Sequence, residues 1–113
     1  MKLIGSKLES DFREEILKNS VSLTAATEVV KAIGQLGFNP ENAIVLDKIP
    51  DDRDTHFKIL VQGEYLVSLE LCNLGNSLLG KPITSSLKDY KRGLSKNGQV
   101  KLAVALNEYN RRT

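Results

Sequence analysis

Hydrophobic positions in the first third of the chain recur at the spacing of amphipathic helices. Ser6 and Glu9 match a capping box, in which each side chain bonds a free backbone N–H group at a helix start. A first helix ending near Asn19 is predicted, because the next apolar side chains share one helical face: Leu8, Phe12, Ile16 and Leu17.

A second helix is predicted to begin at Ser22 or Thr24. Its apolar stripe consists of Ala25, Ala26, Val29, Val30, Ile33 and Leu36. Gly37 suits the left-handed position that closes a helix, and Pro40 prevents the helix from continuing. These signals predict a helix end just before Gly37.

The middle of the chain changes to the patterns of β-strands. A short apolar run over 43–46 predicts a buried strand, and 48–54 reads as a polar loop. Apolar residues then alternate on both sides of Gly63, which predicts a hairpin of 55–62 and 65–72.

The alternation also predicts the register of this hairpin. A two-residue loop would set Phe57 opposite Glu70. A three-residue loop over 62–64 sets Phe57 opposite Leu69 and places His56 opposite Glu70 on the other face. We expect the second register, since a slip of one residue would turn one strand's apolar set outward.

The last third is predicted to be a loop followed by helices. Residues 73–82 read as a glycine-containing loop, and Thr84 or Ser85 can cap a short helix through Arg92. The segment 99–109 is ambiguous, because four of its apolar residues alternate as in a strand: Val100, Leu102, Val104 and Leu106. We favour a helix, because most of its other residues are good helix formers.

The expected fold class is therefore α+β, in one globular domain over 1–113. It has two N-terminal helices, a small, mostly antiparallel three-stranded sheet and two C-terminal helical segments. A content of 41% hydrophobic and 27% charged residues is ordinary for a globular domain. The single cysteine excludes an internal disulfide. With no signal-peptide pattern and no long apolar run, we expect a cytoplasmic protein without a membrane partner.

Charge is distributed unevenly along the chain. Residues 1–80 carry 8 Lys and Arg against 12 Asp and Glu, a net charge of −4. Residues 81–113 carry 8 Lys and Arg against 2 Asp and Glu, a net charge of +6. Such asymmetry points to charged partners, or to two parts that neutralise each other after folding.

The acidic part includes a cluster of four aspartates around Pro50. These residues, Asp47, Asp51, Asp52 and Asp54, could form a contact surface for a basic protein. The plainer interpretation is a solvated turn. The spacing does not match a calcium-binding EF-hand, so we expect no metal site there.

The basic part centres on one face of the predicted short helix. Lys88, Lys91 and Arg92 are spaced to share that face, and Lys96 follows. Clustered cations of this kind can bind nucleic-acid phosphates. Aromatic residues that could stack on bases are sparse here, however, so nucleic-acid binding remains an alternative.

Two further patterns bear on catalysis. His56 is the only histidine. With Glu70 and Arg53 it could act as the general base of a small metal-free ribonuclease. A cross-strand pair such as His56 and Glu70 is, however, usually a surface contact. Residues 75–81 resemble the phosphate-binding loop of nucleotide-binding ATPases and GTPases, but Pro82 stands where a hydroxyl should bind magnesium. We therefore expect no cofactor.

These observations favour a non-catalytic protein-binding module. In size, low cysteine content and lack of a catalytic motif, the chain resembles small bacterial immunity and antitoxin-like proteins. That resemblance implies a protein that blocks a toxin or nuclease by occlusion and charge complementarity. The alternative is a nucleic-acid-binding protein or a small ribonuclease that uses the basic C-terminal third. The oligomeric state stays open.

Overall fold

A four-stranded antiparallel sheet forms the centre of the computed structural model. The structure describes the backbone of residues 5–24, 27–74 and 77–112, and the side chains of 5–19, 27–74 and 77–111. The strands follow one another in both chain and space, as β1 (Ile44–Pro50), β2 (Asp54–Val61), β3 (Tyr65–Cys72) and β4 (Leu78–Ser86). The predicted α+β class is confirmed, but the sheet has four strands rather than three.

In the described part of the chain, four α-helices precede or follow the sheet. They are α1 (Lys7–Thr24), α2 (Thr27–Gln35), α3 (Leu87–Lys91) and α4 (Lys96–Arg112), with a one-turn 3-10 helix at Pro40–Asn42. The helix α2 packs on one face of the sheet, whereas α1, α3 and α4 pack on the other. No helix in the described part of the chain is long and apolar enough to cross a membrane.

Side-chain alternation divides the hydrophobic core between the two faces of the sheet. Val29 and Ile33 of α2 contact one set of strand residues: Val45, Phe57, Ile59, Val61, Val67, Leu69 and Leu71. Ile16 of α1 and the apolar residues of α4 contact the other set: Ile44, Leu46, Leu60 and Leu66. Both faces of the sheet therefore bury aliphatic side chains.

The predicted hairpin register is confirmed. Phe57 pairs with Leu69, and His56 pairs with Glu70 across β2 and β3. The three-residue loop needs left-handed backbone at Gln62 and Gly63, with φ of 55° and 68°. A Cβ on Gly63 would lie 2.9 Å from the Tyr109 ring, so glycine is required there for space as well as for conformation.

The strand β4 corrects the prediction of a loop over 73–82. Two extra residues bulge out between Leu79, which pairs with Glu70, and Ile83, which pairs with Ser68. Gly80 (φ 71°) and Pro82 lie in this bulge, so apolar and polar residues do not alternate there as they do in a regular strand. Proline is tolerated because β4 is an edge strand.

The short helix α3 starts later than predicted. Its N-cap is Ser86, whose hydroxyl accepts a hydrogen bond from the Asp89 N–H at 3.2 Å. Thr84 and Ser85 instead lie in β4, where they pair with Val67 and Leu66. The final segment is a helix, as favoured, and spans Lys96–Arg112.

The strand β1 is longer than predicted. It runs to Pro50, so the predicted loop over 48–54 shrinks to a turn of three residues. The sequence pattern does not reveal this part of the strand, because it contains polar residues. An irregularity after Val45 also shifts the register of β1 against β2 and interrupts the regular alternation. Ile49 consequently pairs with His56.

The boundary between the first two helices also differs from the prediction. Ser22 and Thr24 do not begin a second helix but lie inside α1, and α2 begins at Thr27. The predicted contributions of Ala25 and Ala26 lie outside the described residues. The helix end at Gly37 is confirmed, with φ of 88° and a hydrogen bond from the Phe38 N–H to the Ile33 carbonyl at 3.2 Å.

Candidate protein-binding groove

A groove of about 580 Å³ lies on the sheet face that α1, α3 and α4 cover at one end. Cross-strand pairing sets four residues in one row across the whole sheet: Ile49, His56, Glu70 and Leu79. Paired residues in a sheet point to the same face. This row, together with Lys58, Ser68, Lys81 and Ile83, lines the groove, which we call the sheet groove.

Three large aliphatic side chains of the sheet groove are exposed to water. Ile83 is 68% exposed and Ile49 is 52% exposed, and Leu79 is exposed as well. They come from β1 and β4, the two edge strands, and so lie on either side of the polar centre. A cluster of exposed aliphatic residues around a concavity is typical of a binding surface.

The polar centre of the sheet groove is the pair of His56 and Glu70. The His56 Nδ1 and Glu70 Oε1 atoms are 3.4 Å apart, and the two side chains are 46% and 43% exposed. This distance is longer than a normal hydrogen bond, and solvent screens the pair. The structure therefore brings together the two residues of the predicted acid–base pair without a tight contact between them.

Arg53, the third residue of the predicted ribonuclease site, lies elsewhere. It is exposed in the turn between β1 and β2, where its carbonyl accepts a hydrogen bond from the Asn73 N–H at 2.8 Å. Arg53 does not line the sheet groove, and among the described residues it forms no ion pair with Glu70. The catalytic role of these residues stays a prediction.

Two lysines reach the sheet groove from different strands. Lys58 lines it, but its ammonium lies 5.4 Å from the centre of the Tyr90 ring, under α3. Lys81 is exposed in the bulge of β4. The positive charge at the open side of the groove therefore comes mainly from Lys81.

The predicted aspartate cluster is divided by the fold. Asp51 and Asp52 are exposed in the turn between β1 and β2, where the Asp52 N–H donates to Asp51 Oδ1 at 2.8 Å. Asn73 Nδ2 donates to the Asp51 carbonyl at 2.9 Å and ties this turn to the end of β3. Because Asp51 also lines the sheet groove, the acidic turn forms part of its rim.

The other two aspartates have different surroundings. Asp47 Oδ1 accepts a hydrogen bond of 2.7 Å from Lys101, which also donates to Glu15 at 3.1 Å. Asp54 is partly buried at the start of β2 and pairs with Cys72. Of the predicted partner-binding aspartates, the fold presents Asp51 and Asp52 most openly, and their role stays a prediction.

The predicted basic face is exposed. Lys88, Lys91, Arg92 and Lys96 lie on α3, just after it, or at the start of α4. Within the described ranges, none of the four forms an ion pair. Lys101, by contrast, has a largely buried side chain and pairs with two carboxylates. Nucleic-acid binding by the four exposed residues stays a prediction.

The aliphatic rim of the sheet groove was missed by sequence reasoning. Ile49 and Leu79 lie in the predicted loops over 48–54 and 73–82, and Ile83 lies between the second loop and the predicted helix start, so the sequence assigns no sheet face to any of them. The only signal was local, since β-branched and aliphatic residues recur between 78 and 86 despite the glycine and proline.

The structure also bears on the resemblance to a phosphate-binding loop. Gly80 and Lys81 lie within β4 and do not lead into a helix, so the backbone cradle of such a loop is missing. Gly75 and Asn76 lie outside the described residues. Across the described part of the chain, no group of three or more His, Cys, Asp and Glu side chains is placed to hold a metal ion.

Comparison with known proteins assigns no family. No family, no curated protein and no solved structure matches this chain.

Proposed function

We propose that this protein is a non-catalytic protein-binding module that contacts its partner through the sheet groove. The observation that carries the proposal is the exposure of Ile49, Leu79 and Ile83 on one concave surface. Full burial of such a side chain in a complex contributes about 1.5–3 kcal/mol. The core of an interface is more apolar than its rim, and these three side chains would supply part of such a core.

The acidic turn supports a basic partner. Asp51 lies at the rim of the sheet groove and the exposed Asp52 adjoins it, and opposite charges on a partner would accelerate association and fix its orientation. We infer a small inhibitor of the immunity type, which covers the active site of a basic toxin or nuclease. This would act by occlusion and needs no catalytic group.

Capture of the partner tests the proposal. Tagged protein is expressed in the cells that encode it, the bound protein is identified, and the complex is rebuilt from purified components. Ile83→Asp should weaken the rebuilt complex at least tenfold, because it places a charge where an aliphatic group is buried. Leu74→Asp is the matched control, because Leu74 is 86% exposed and lies outside the sheet groove.

The result can contradict the proposal in two ways. If no captured protein rebuilds into a complex, the protein-binding function is wrong. If Ile83→Asp and Leu74→Asp bind equally well, the sheet groove is not the contact surface. For an enzyme partner, the wild-type protein should also suppress the enzyme's activity at a stoichiometric ratio.

A second candidate function is supported by the polar centre of the sheet groove. His56 and Glu70 lie beside Lys58 and Lys81, a set that could bind a phosphodiester and move a proton. We infer from this a nucleic-acid-binding protein or small ribonuclease as the alternative. Cleavage of RNA that is lost in His56→Ala, with binding that falls steeply with salt, would favour it.

A further inference from the structure

We propose that the sheet groove receives an arginine side chain of the partner, with Glu70 as its carboxylate acceptor. This inference rests on the proposed protein-binding function and specifies the chemistry of the contact. It depends on three features of the groove: its charge, its aliphatic walls and an incompletely used carboxylate.

The position of the charges in the sheet groove favours a cation beside Glu70. Lys58 and Lys81 formally balance Glu70 and Asp51, but the Lys58 ammonium lies 5.4 Å from the centre of the Tyr90 ring. Glu70 lies at the centre of the groove and Asp51 at its rim. The adjoining Asp52 adds a further negative charge at the exposed turn.

Glu70 can accept a guanidinium. Its Oε1 faces His56 at 3.4 Å, and in the described part of the chain no hydrogen bond to either carboxylate oxygen meets normal geometry. A guanidinium can donate two parallel hydrogen bonds to such a carboxylate, which an ammonium cannot. This geometry is the reason that we infer arginine rather than lysine.

The walls of the sheet groove suit the rest of the side chain. Ile49 and Leu79 flank the His56–Glu70 pair in the same cross-strand row. The aliphatic stem of an arginine buries its methylene groups against such residues while its charged end reaches a polar group. A single side chain would thus match both the apolar and the acidic parts of the groove.

A peptide titration followed by NMR tests this inference without the natural partner. The probe is acetyl-Leu-Arg-Leu-amide, and its comparison is the same peptide with uncharged citrulline in place of arginine. The arginine peptide should shift the amide signals of the groove residues with a Kd on the order of 1–10 mM. The citrulline peptide should bind about fivefold more weakly, since exposed ion pairs contribute up to about 1 kcal/mol.

Variants then locate the acceptor. Glu70→Gln should remove the difference between the two peptides, and Asp51→Asn should reduce it. Glu64→Gln is the matched control, because Glu64 is exposed in the loop between β2 and β3, outside the sheet groove, and should keep the full difference. The same spectra show whether each variant is folded.

Three outcomes would overturn the inference. The arginine and citrulline peptides could bind equally, Glu70→Gln could keep the discrimination, or inorganic phosphate could shift the groove signals more strongly than the arginine peptide. The last outcome would favour the nucleic-acid alternative. If Ile83→Asp still disrupts the rebuilt complex while the peptides show no discrimination, the protein-binding function stands and only the arginine contact is wrong.

Discussion

Lys101 should be among the polar residues on which folding depends most. Its ammonium donates to Asp47 Oδ1 at 2.7 Å and to Glu15 Oε1 at 3.1 Å, so it joins α4 to β1 and to α1. It also lies 5.7 Å from the centre of the Phe12 ring. The side chain is only 13% exposed. Lys101→Met keeps the aliphatic length of the side chain and removes these charge interactions together.

The expected loss of stability is about 2 kcal/mol. A hydrogen bond to a charged group contributes about 1.5–3 kcal/mol when it is well sheltered. The contact with Asp47 is partly sheltered, and the contact with Glu15 is more open to solvent, so the second adds less. For a domain of this size, the melting temperature should fall by about 10 °C.

Urea unfolding followed by circular dichroism measures this loss. Lys96→Met is the matched control, because Lys96 is an exposed lysine in the same helix and should change the free energy of unfolding by less than about 0.5 kcal/mol. A double-mutant cycle of Lys101→Met with Asp47→Asn should show a coupling of about 1 kcal/mol or more. If Lys101→Met is no more harmful than Lys96→Met, or the coupling is zero, the reasoning is refuted.

The same contacts predict a pH dependence. Burial alone would lower the pKa of Lys101, but its hydrogen bonds to Asp47 and Glu15 outweigh burial and raise the pKa above 10.5. The unfolded chain therefore loses this proton at a lower pH than the folded protein. The stabilisation is complete below pH 10.5 and is lost as the pH rises through the higher folded value. Stability should fall less steeply above that pH in Lys101→Met.

Three further predictions concern other parts of the fold. Gly63→Ala should cost about 1 kcal/mol more than Gly80→Ala, because both glycines have positive φ but only Gly63 would bring a Cβ against Tyr109; equal costs in urea unfolding would exclude that contact. Ser6→Ala should lower the free energy of unfolding by about 1 kcal/mol through loss of the capping box, and an unchanged value would show that the cap contributes nothing. Burial, helped by nearby negative charge, raises the pKa of Tyr90 above 10.0. In a pH titration followed by phenolate absorbance, the increase that belongs to Tyr90 should therefore occur above pH 10.0, and it should be missing from Tyr90→Phe.

The hairpin shows how far sequence patterns determine a fold. Its register could be predicted because the apolar residues alternate without interruption on both strands, so only one pairing buries them all. The prediction extended to the site, since it placed His56 opposite Glu70. A regular pattern thus located the polar centre of the sheet groove.

The rest of the groove could not be predicted because its strands are irregular. The bulge in β4 contains Gly80 and Pro82, residues that normally mark a loop. The strand forms despite them because β4 pairs with β3 on both sides of the bulge, and this pairing cannot be seen in the local sequence. In β1, the register shift after Val45 likewise breaks the alternation before Ile49. The exposed aliphatic rim therefore depends on long-range pairing that no local pattern specifies.

Only part of the uneven charge along the chain is available for contact with a partner, because folding pairs the rest within the molecule. Folding pairs two basic residues of the C-terminal third with carboxylates: Lys101 bonds Asp47 and Glu15, and Arg111 joins Arg13 on the buried Glu108. On the surfaces described above, exposed positive charge that forms no ion pair in the described ranges lies on Lys81, on α3 and at the start of α4, and exposed negative charge lies at the turn between β1 and β2. The acidic turn and Lys81 both adjoin exposed aliphatic residues in the sheet groove. Because apolar burial is what gives an interface its strength, this side supports the proposed protein partner.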